Sequence, residues 1–399
     1  MTTTAFDPLA PLPGPPDPWT YVDMPSLRDG PPYHLTDMIA AEPAVARRIL
    51  TTHLGGGGPA AALADAIRST AAAGRPIVVT GCGTSEHAAF GVADILRESF
   101  SSVGLPGHLV TAAQAFELAL DPTSAGLVIG LSHEGGSSAT IRALTSERAT
   151  GATIAVMTAS ARSRIAAAAD PGLVIETTEL DQSWCHTIGY LSPMLAASAV
   201  ASHLSGRDLD IEAIVNLLAD GAADVVGAER IADRLADAAH LIVIGSGADR
   251  TAGRELALKV EEASWLPSTF RDLETFLHGH LPAMDPSTGL VLILTERSGR
   301  PERLARARQA LAAARVVGLR SAAIVAADVD SVLDPDLTPA GRLIVREAPG
   351  LAAPVASLFG SATPLQLLTE RLARARGTNP DAIRRDDPIY LAAAEAAEG

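Results

Sequence analysis

Twice along the chain, short apolar runs alternate with stretches that space their apolar residues for a helix, and this limits the fold more than anything else. The first series is PIVVTG (76–81), HLVTA (108–112), GLVIGLS (126–132), TIAVMT (153–158) and LVIET (173–177). Between them, segments such as HAAFGVADILRESF and SATIRALTSERA repeat apolar residues at helical intervals. The second series is HLIVIGSG (240–247), PSTFRDL (267–273), GLVLILT (289–295), SAAIVAA (321–327) and RLIVREA (342–348). Such alternation predicts βα units on a parallel sheet, and two series in similar order predict an internal duplication. The expected fold class is α/β: two tandem doubly wound parallel-sheet domains followed by a C-terminal tail.

The 399 residues are 47% hydrophobic yet only 4% aromatic, so the cores must be built from Ala, Val, Leu and Ile. That stock suits strands buried on both faces. Residues 1–32 (PLPGPPDP, DGPP) read as a proline-rich extended arm. A helical pattern follows from about Leu35, and GGGG at 55–58 interrupts it. The first domain is expected over 33–205, the second over 206–370 with a leading linker helix, and the tail over 371–399.

The formal charge of −15 argues against nucleic acid as partner. No apolar run reaches the ~18 residues that span a bilayer, and no leader pattern is present, so a cytoplasmic protein without membrane contact is expected. Two distant cysteines, Cys82 and Cys185, suggest neither a disulfide framework nor a metal site. Lys259 is the one lysine among 31 basic residues. Coding bias explains the arginines; a lysine that survives it is a candidate for chemistry arginine cannot do, since lysine can lose its proton when desolvated.

Parallel sheets present ligands at the carboxyl ends of their strands, which directs attention to the loops there. In GCGTSEHA (81–88), Gly83 permits a tight strand-to-helix turn, and Thr84 and Ser85 supply hydroxyls. In LSHEGGSSAT (131–140), Ser132, His133, Glu134 and Ser137 cluster at a helix start. Helix capping would account for these serines without any ligand. In ELALKVEE (255–262), Glu255, Lys259 and Glu262 fall at i, i+4 and i+7 on one helical face. The same spacing would serve a surface salt-bridge ladder.

Taken in order, these stretches resemble the sugar isomerase (SIS) domain family, and within it the isomerase half of the glucosamine-6-phosphate synthases. HLTDMIAAEPAVARRIL resembles the entry to that half, GCGTSEHA and LSHEGGSSAT its two sugar-phosphate loops, and ELALKVEE and LHGH its catalytic helix and histidine loop. The similarity runs over about residues 33–390.

The resemblance implies two SIS-type domains in a homodimer with shared active sites and a tail that closes the site. It implies an enzyme on a sugar phosphate or amino-sugar phosphate, an isomerase or deaminase that needs no cofactor. Glu262 would carry the proton between the first two sugar carbons. His278, delivered by the partner subunit, would open the ring. Lys259 would be an electrostatic partner, and Glu255 would shape the site. Gly83, Thr84, Ser85, Ser132, His133, Glu134 and Ser137 would meet the sugar or its phosphate, with Gln182 and Ser183 from the loop LDQSWC.

The chain also departs from the family pattern. A proline-rich arm precedes the repeats where an amidotransferase half would stand, so glutamine-dependent amination is not expected. The tail NPDAIRRDDPIYLAAAEAAEG has no lysine to form an imine. The register of LDQSWC is open by one residue. Most consequentially, His133 and Glu134 replace the usual Gln and Ser. A carboxylate ~4 Å from a phosphate charge is repelled by about 4 kcal/mol at an effective dielectric of ~20. A helix N-terminus returns only ~0.3–1 kcal/mol, about 2 when partly buried. Glu134 must therefore turn away or pair with a cation such as His133, or the ligand carries a hydroxyl or amine. Two alternative functions follow: an isomerase of an unphosphorylated amino sugar, and a non-catalytic sugar-phosphate sensor.

Overall fold

The computed structural model describes residues 27–177 and 181–398, so most of the expected proline-rich arm lies outside the described residues. Two helices lead in, α1 (His34–Leu54) and α2 (Pro59–Ala72). The first unit then runs β1 (Ile77–Gly81), α3 (Thr84–Ser102), β2 (Val110–Gln114), α4 (Ala115–Leu120), β3 (Leu127–Leu131), α5 (Ser138–Ala149), β4 (Thr153–Thr158), β5 (Val174–Glu176) and α6 (Ile188–Ser205). The expected linker is a pair of helices, α7 (Ile211–Ala223) and α8 (Val225–Leu235). Asp224 joins them, ending the first and capping the second through the Gly227 amide at 3.0 Å.

The second unit runs β6 (His240–Gly245), α9 (Asp249–Ser264), β7 (Ser268–Asp272), α10 (Leu273–Phe276), β8 (Thr288–Leu294), α11 (Arg300–Val317), β9 (Arg320–Ala326), α12 (Ala327–Asp330), β10 (Gly341–Val345) and α13 (Ala353–Arg376). α13 continues past residue 370, where the second domain was expected to end, and α14 (Pro388–Glu398) closes the described chain.

Each unit forms a five-stranded sheet, β2-β1-β3-β4-β5 and β7-β6-β8-β9-β10, parallel throughout. The two orders are the same when each unit is numbered from its own first strand, which is the duplication in structural form. The chain goes from β1 to one side and returns to the other at β3. The loops after β1 and β3 therefore face each other at a topological switch point, where doubly wound sheets bind ligands.

Successive side chains of a strand point to opposite faces. Ile77, Val79, Leu127 and Ile129 thus face inward, together with Leu241, Val243, Val291 and Ile293 of the second sheet, in one continuous core. Val78 and Val128 face the outer helices of the first unit, Ile242 and Ile244 those of the second. α6 lies in the shared core, buried without interruption from Ile188 to Val200, as its apolar character on all sides requires. α3 and α9, which follow the first strand of each unit, pack against each other. The loop after β1 is thereby brought to the flank of α9.

Candidate active site

Gly83 starts α3 at φ +56°, a left-handed conformation in which a side chain would strain. The turn it allows sets Thr84 and His87 one helical turn apart, facing α9. There Glu255 is fully buried and Lys259 is 1% exposed. Lys259 Nζ donates to Thr84 Oγ1 at 2.9 Å and to Glu262 Oε2 at 2.6 Å, and lies 3.5 Å from Glu255 Oε1. Glu255 also accepts from Thr84 Oγ1 at 3.3 Å and pairs with His87 Nδ1 at 2.7 Å. A surface ladder is thus excluded by burial. The face predicted from spacing is an interdomain polar cluster with the Glu262 carboxyl, whose side chain is 21% exposed, at its lip.

Burial works to strip Lys259 of its proton, but Glu262 and Glu255 outweigh it and raise the ammonium above its ordinary range. Lysine is therefore retained here as a charged group and not, as desolvation alone suggests, as a neutral amine. Its compact head gives three donors in three directions, which a planar guanidinium cannot copy. Burial likewise pushes Glu255 up, yet Lys259 and the bonds from His87 and Thr84 hold it below the usual carboxylate range.

The second loop, 132–137, folds against β4. Gly135 sits at φ +72°, and a Cβ there would overlap the Ser163 side chain. Thr158 Oγ1 donates to the His133 carbonyl at 3.2 Å, which fixes the loop from below. Ser132 is buried, and Ser137 spends its hydroxyl on capping α5, where it accepts from the Thr140 hydroxyl at 3.0 Å.

Glu134 does meet a cation, but not the one expected from its neighbour. Its Oε1 lies 3.4 Å from His186 Nε2 at the entry to α6, and the His186 and His133 rings meet edge to face at 5.3 Å. Burial pushes Glu134 up, but the bond to His186 and the charges of both histidines bring it below its ordinary value. Burial pushes His186 down, and Glu134 and Asp181 more than reverse that. His133 is otherwise engaged: its Nε2 accepts from the Asp181 amide at 3.0 Å, Nδ1 has no partner among the described residues, and burial lowers its basicity.

Asp181 organises this corner, accepting the amides of Thr187, Ile188 and Gly189 at 2.9, 3.0 and 2.7 Å. It is the carboxylate at a helix N-terminus that the macrodipole favours. Its neighbours Gln182 and Ser183 were the sequence candidates. The Gln182 amide lies 2.9 Å from Met38 Sδ, and Ser183 is fully buried with its hydroxyl accepting the Cys185 amide at 3.2 Å. Ser85 lies in the first turn of α3, its amide on the Cys82 carbonyl at 3.1 Å.

His278 stands apart. It follows α10 on the surface of the second unit, 68% exposed, with Nε2 2.7 Å from Glu274 Oε1. The tail packs nearer: Asp381 accepts the His34 and Leu35 amides at 2.8 and 3.0 Å, and the Arg385 guanidinium covers the Trp184 ring at 4.0 Å. Arg384 covers Trp265, just past α9, at 4.5 Å.

Three residues that matter here were missed in the sequence: His87, Asp181 and His186. His87 was legible, lying three residues after Thr84 in a motif already singled out. Asp181 and His186 were not, because the irregular loop leading to α6 has no periodicity to orient its side chains.

The second unit repeats the geometry but fills it. Glu296, 3% exposed, follows β8 and accepts the Ser298 amide at 2.9 Å and the Ala248 amide at 3.4 Å. Arg303 bonds Ser246 and the Ser298 carbonyl, and Arg300 the Glu296 carbonyl at 3.1 Å. A cavity of about 430 Å³ beside these loops is lined by Arg97, Arg250 and Arg254 together with Asp94, Glu98 and Glu296. Its lining includes none of Thr84, His87, Glu255, Lys259 or Glu262. Among the described residues no group of three His, Cys, Asp or Glu could hold a metal ion, and no helix is long and apolar enough to cross a membrane.

Each unit is thus a doubly wound parallel 2-1-3-4-5 sheet, and in the first a hydroxyl-bearing loop lies at the switch point. The family model for the SIS domain matches residues 72–202 and 234–338, more than half of the chain, and the chain belongs to that family. A glutamine–fructose-6-phosphate aminotransferase (isomerizing) of Aeropyrum pernix is 26% identical over 335 residues, covering 80% of this chain and 51% of that protein. The chain thus spans about half the length of the curated relative it matches.

Among solved structures, the C-terminal domain of glucosamine-fructose-6-phosphate aminotransferase from Francisella tularensis has a TM-score of 0.71 at 18% identity, over 89% of this chain and 99% of that one. Tagatose-6-phosphate ketose/aldose isomerase from Escherichia coli has 0.69 at 19%, over 87% and 95%. Glucosamine-6-phosphate deaminase from Thermotoga maritima has 0.58 at 17%, over 85% and 97%. At these identities the likeness is one of fold.

Proposed function

We propose that the protein is an enzyme of sugar or amino-sugar isomerisation, with Glu262 as the group that moves a proton between the first two carbons of an open-chain sugar. The observation that carries this is the Lys259 ammonium, buried and charged, bonded to Glu262 Oε2 at 2.6 Å while the carboxyl stays partly exposed. A base that must take a proton from one carbon and return it to the next needs a fixed position and one face open to substrate. Lys259 supplies the first. The carboxyl's place at the lip supplies the second.

An aldose loses the proton at its second carbon and regains one at the first, becoming a ketose. On a 2-amino sugar the same shift leaves an imine at the second carbon, which water hydrolyses to a ketone with release of ammonia. That the similar structures include a ketose/aldose isomerase and a deaminase supports both outcomes as one chemistry. Both of those proteins are named for sugar phosphates, which favours that substrate class, although the proton-transfer end of the site does not itself require a phosphate. Thr84 and His87 would bracket the sugar from the first unit.

Ring opening calls for an acid or base near neutrality, which suits histidine. His278, exposed and remote from the cluster on its own chain, is assigned to the site of a second copy in a homodimer.

The test is solvent exchange. Hexoses, hexosamines and their 6-phosphates incubated in deuterated water with the protein should acquire label, at the second carbon of recovered aldose and at the first carbon of ketose, and Glu262→Gln should slow this by roughly 10²–10⁴-fold. Saturable binding without label from any of them would make the chain a sugar sensor instead.

A further inference from the structure

The loop after β3 holds its own anion. Glu134 has a side chain only 16% exposed, and the cation beside it, His186, is already its partner. Around this corner stand four carboxyl groups, Glu134, Asp181, Glu255 and Glu262. Facing them are one ammonium, Lys259, committed to Glu255, Glu262 and Thr84, and three imidazoles: His186 beside Glu134, His87 on Glu255 at 2.7 Å, and His133, whose basicity burial lowers, 3.3 Å from Asp181. A phosphate dianion entering here would have to displace Glu134 from His186 and then remain beside it.

The second unit offers an internal comparison. In its corresponding loop Glu296 accepts the amides of Ala248 and Ser298, so a carboxylate of the chain already occupies the place of a bound anion. Both copies of this loop carry a glutamate within three residues of the strand end, Glu296 buried and Glu134 largely so.

We propose that Glu134, steadied by His186, selects substrates whose end at this loop carries a hydrogen-bond donor, a hydroxyl or a protonated amine, and rejects those with a phosphate ester there. The proposal rests on the isomerase reading and narrows it to unphosphorylated sugars and amino sugars. A donor of this kind would add a bond to the Glu134 carboxylate while leaving its pair with His186 in place. An ammonium in addition offsets the excess of carboxylates.

The experiment is calorimetric titration of the full chain with fructose, glucosamine, their 6-phosphates and inorganic phosphate, in the wild type and in Glu134→Gln and Glu134→Ser. The wild type should favour each free sugar over its 6-phosphate by tenfold or more. Both variants should gain tenfold or more in affinity for the phosphate esters. Should the serine variant fail to fold, the nearly isosteric glutamine carries the test.

No phosphate gain in a folded variant, or a wild type that favours the ester, overturns the proposal. Solvent exchange separates this from the reaction itself. Exchange with the 6-phosphates alone sinks the selectivity and keeps the isomerase. Exchange with neither class, with the phosphate gain intact, sinks the isomerase and keeps the selectivity.

Discussion

Lys259 Nζ approaches Glu262 Oε2 to 2.6 Å from a position that solvent scarcely reaches. The pair ties the interdomain core to the partly exposed Glu262 carboxyl, so the stability of that core and the proposed proton transfer would both draw on one ammonium. Lys259→Met should cost about 3–5 kcal/mol, the usual result of removing one partner from a buried ion pair. Urea denaturation would show it. The double variant Lys259→Met/Glu255→Gln should recover part of the loss, because the orphaned carboxylate goes with it. An unchanged midpoint in the single variant would mean that the cluster is hydrated and weak.

The Glu134–His186 pair has a pH signature of its own. His186 is raised in the fold, so its share of stability is complete below its unfolded value of about 6.5 and is lost as pH rises through the folded value. Glu134 is lowered, so its share is present above about 4.3 and is lost as pH falls through the folded value. The penalty of His186→Ala should therefore peak near pH 5–6, at roughly 1–3 kcal/mol, and shrink by pH 8.5. A penalty that does not vary with pH would refute the charged pair.

Glu42 runs the other way. Its carboxyl on α1 is fully buried beside the Gln366 amide, and burial raises it well above the ordinary range although that amide partly opposes the rise. An acid raised on folding contributes fully below its unfolded value of about 4.3 and loses that contribution as pH climbs towards the folded one. Glu42→Gln should gain on the wild type between pH 4 and pH 8, by about 1–3 kcal/mol. Parallel stability curves across that range would show that Glu42 titrates normally.

His278 invites a complementation experiment. Its side chain is 68% exposed, so His278→Ala should leave stability within ~0.5 kcal/mol while stopping ring opening. If the histidine serves a second copy, mixing inactive His278→Ala with inactive Glu262→Gln should restore activity. One site in a mixed dimer is then intact, and random reassortment limits recovery to about a quarter of wild type. No recovery after verified subunit exchange would place His278 outside the site.

The strands, their parallel pairing and the duplication could be read from the sequence because buried parallel strands are apolar runs with little else to be. Glu255, Lys259 and Glu262 could be placed on one face because a helix has a fixed period. The partner of Glu134 could not. The sequence suggests His133, its neighbour, whereas the loop turns that ring towards the Asp181 amide and leaves Glu134 to His186, 52 residues further on. A contact between two irregular loops has no period, and only the folded chain reveals it. Nor could the fate of the lone lysine be foreseen. Desolvation argues for a neutral amine, and only the distances to two carboxylates decide otherwise.

A chain with a single lysine at 1% exposure also carries its own reporter. Amine-directed acylation has one side-chain target, and it is shut between the two units. The rate at which that target is labelled, set against the rate for the terminal amine, clocks the parting of α3 from α9. Slow labelling that ligand slows further would time the opening of the site, with no engineered probe.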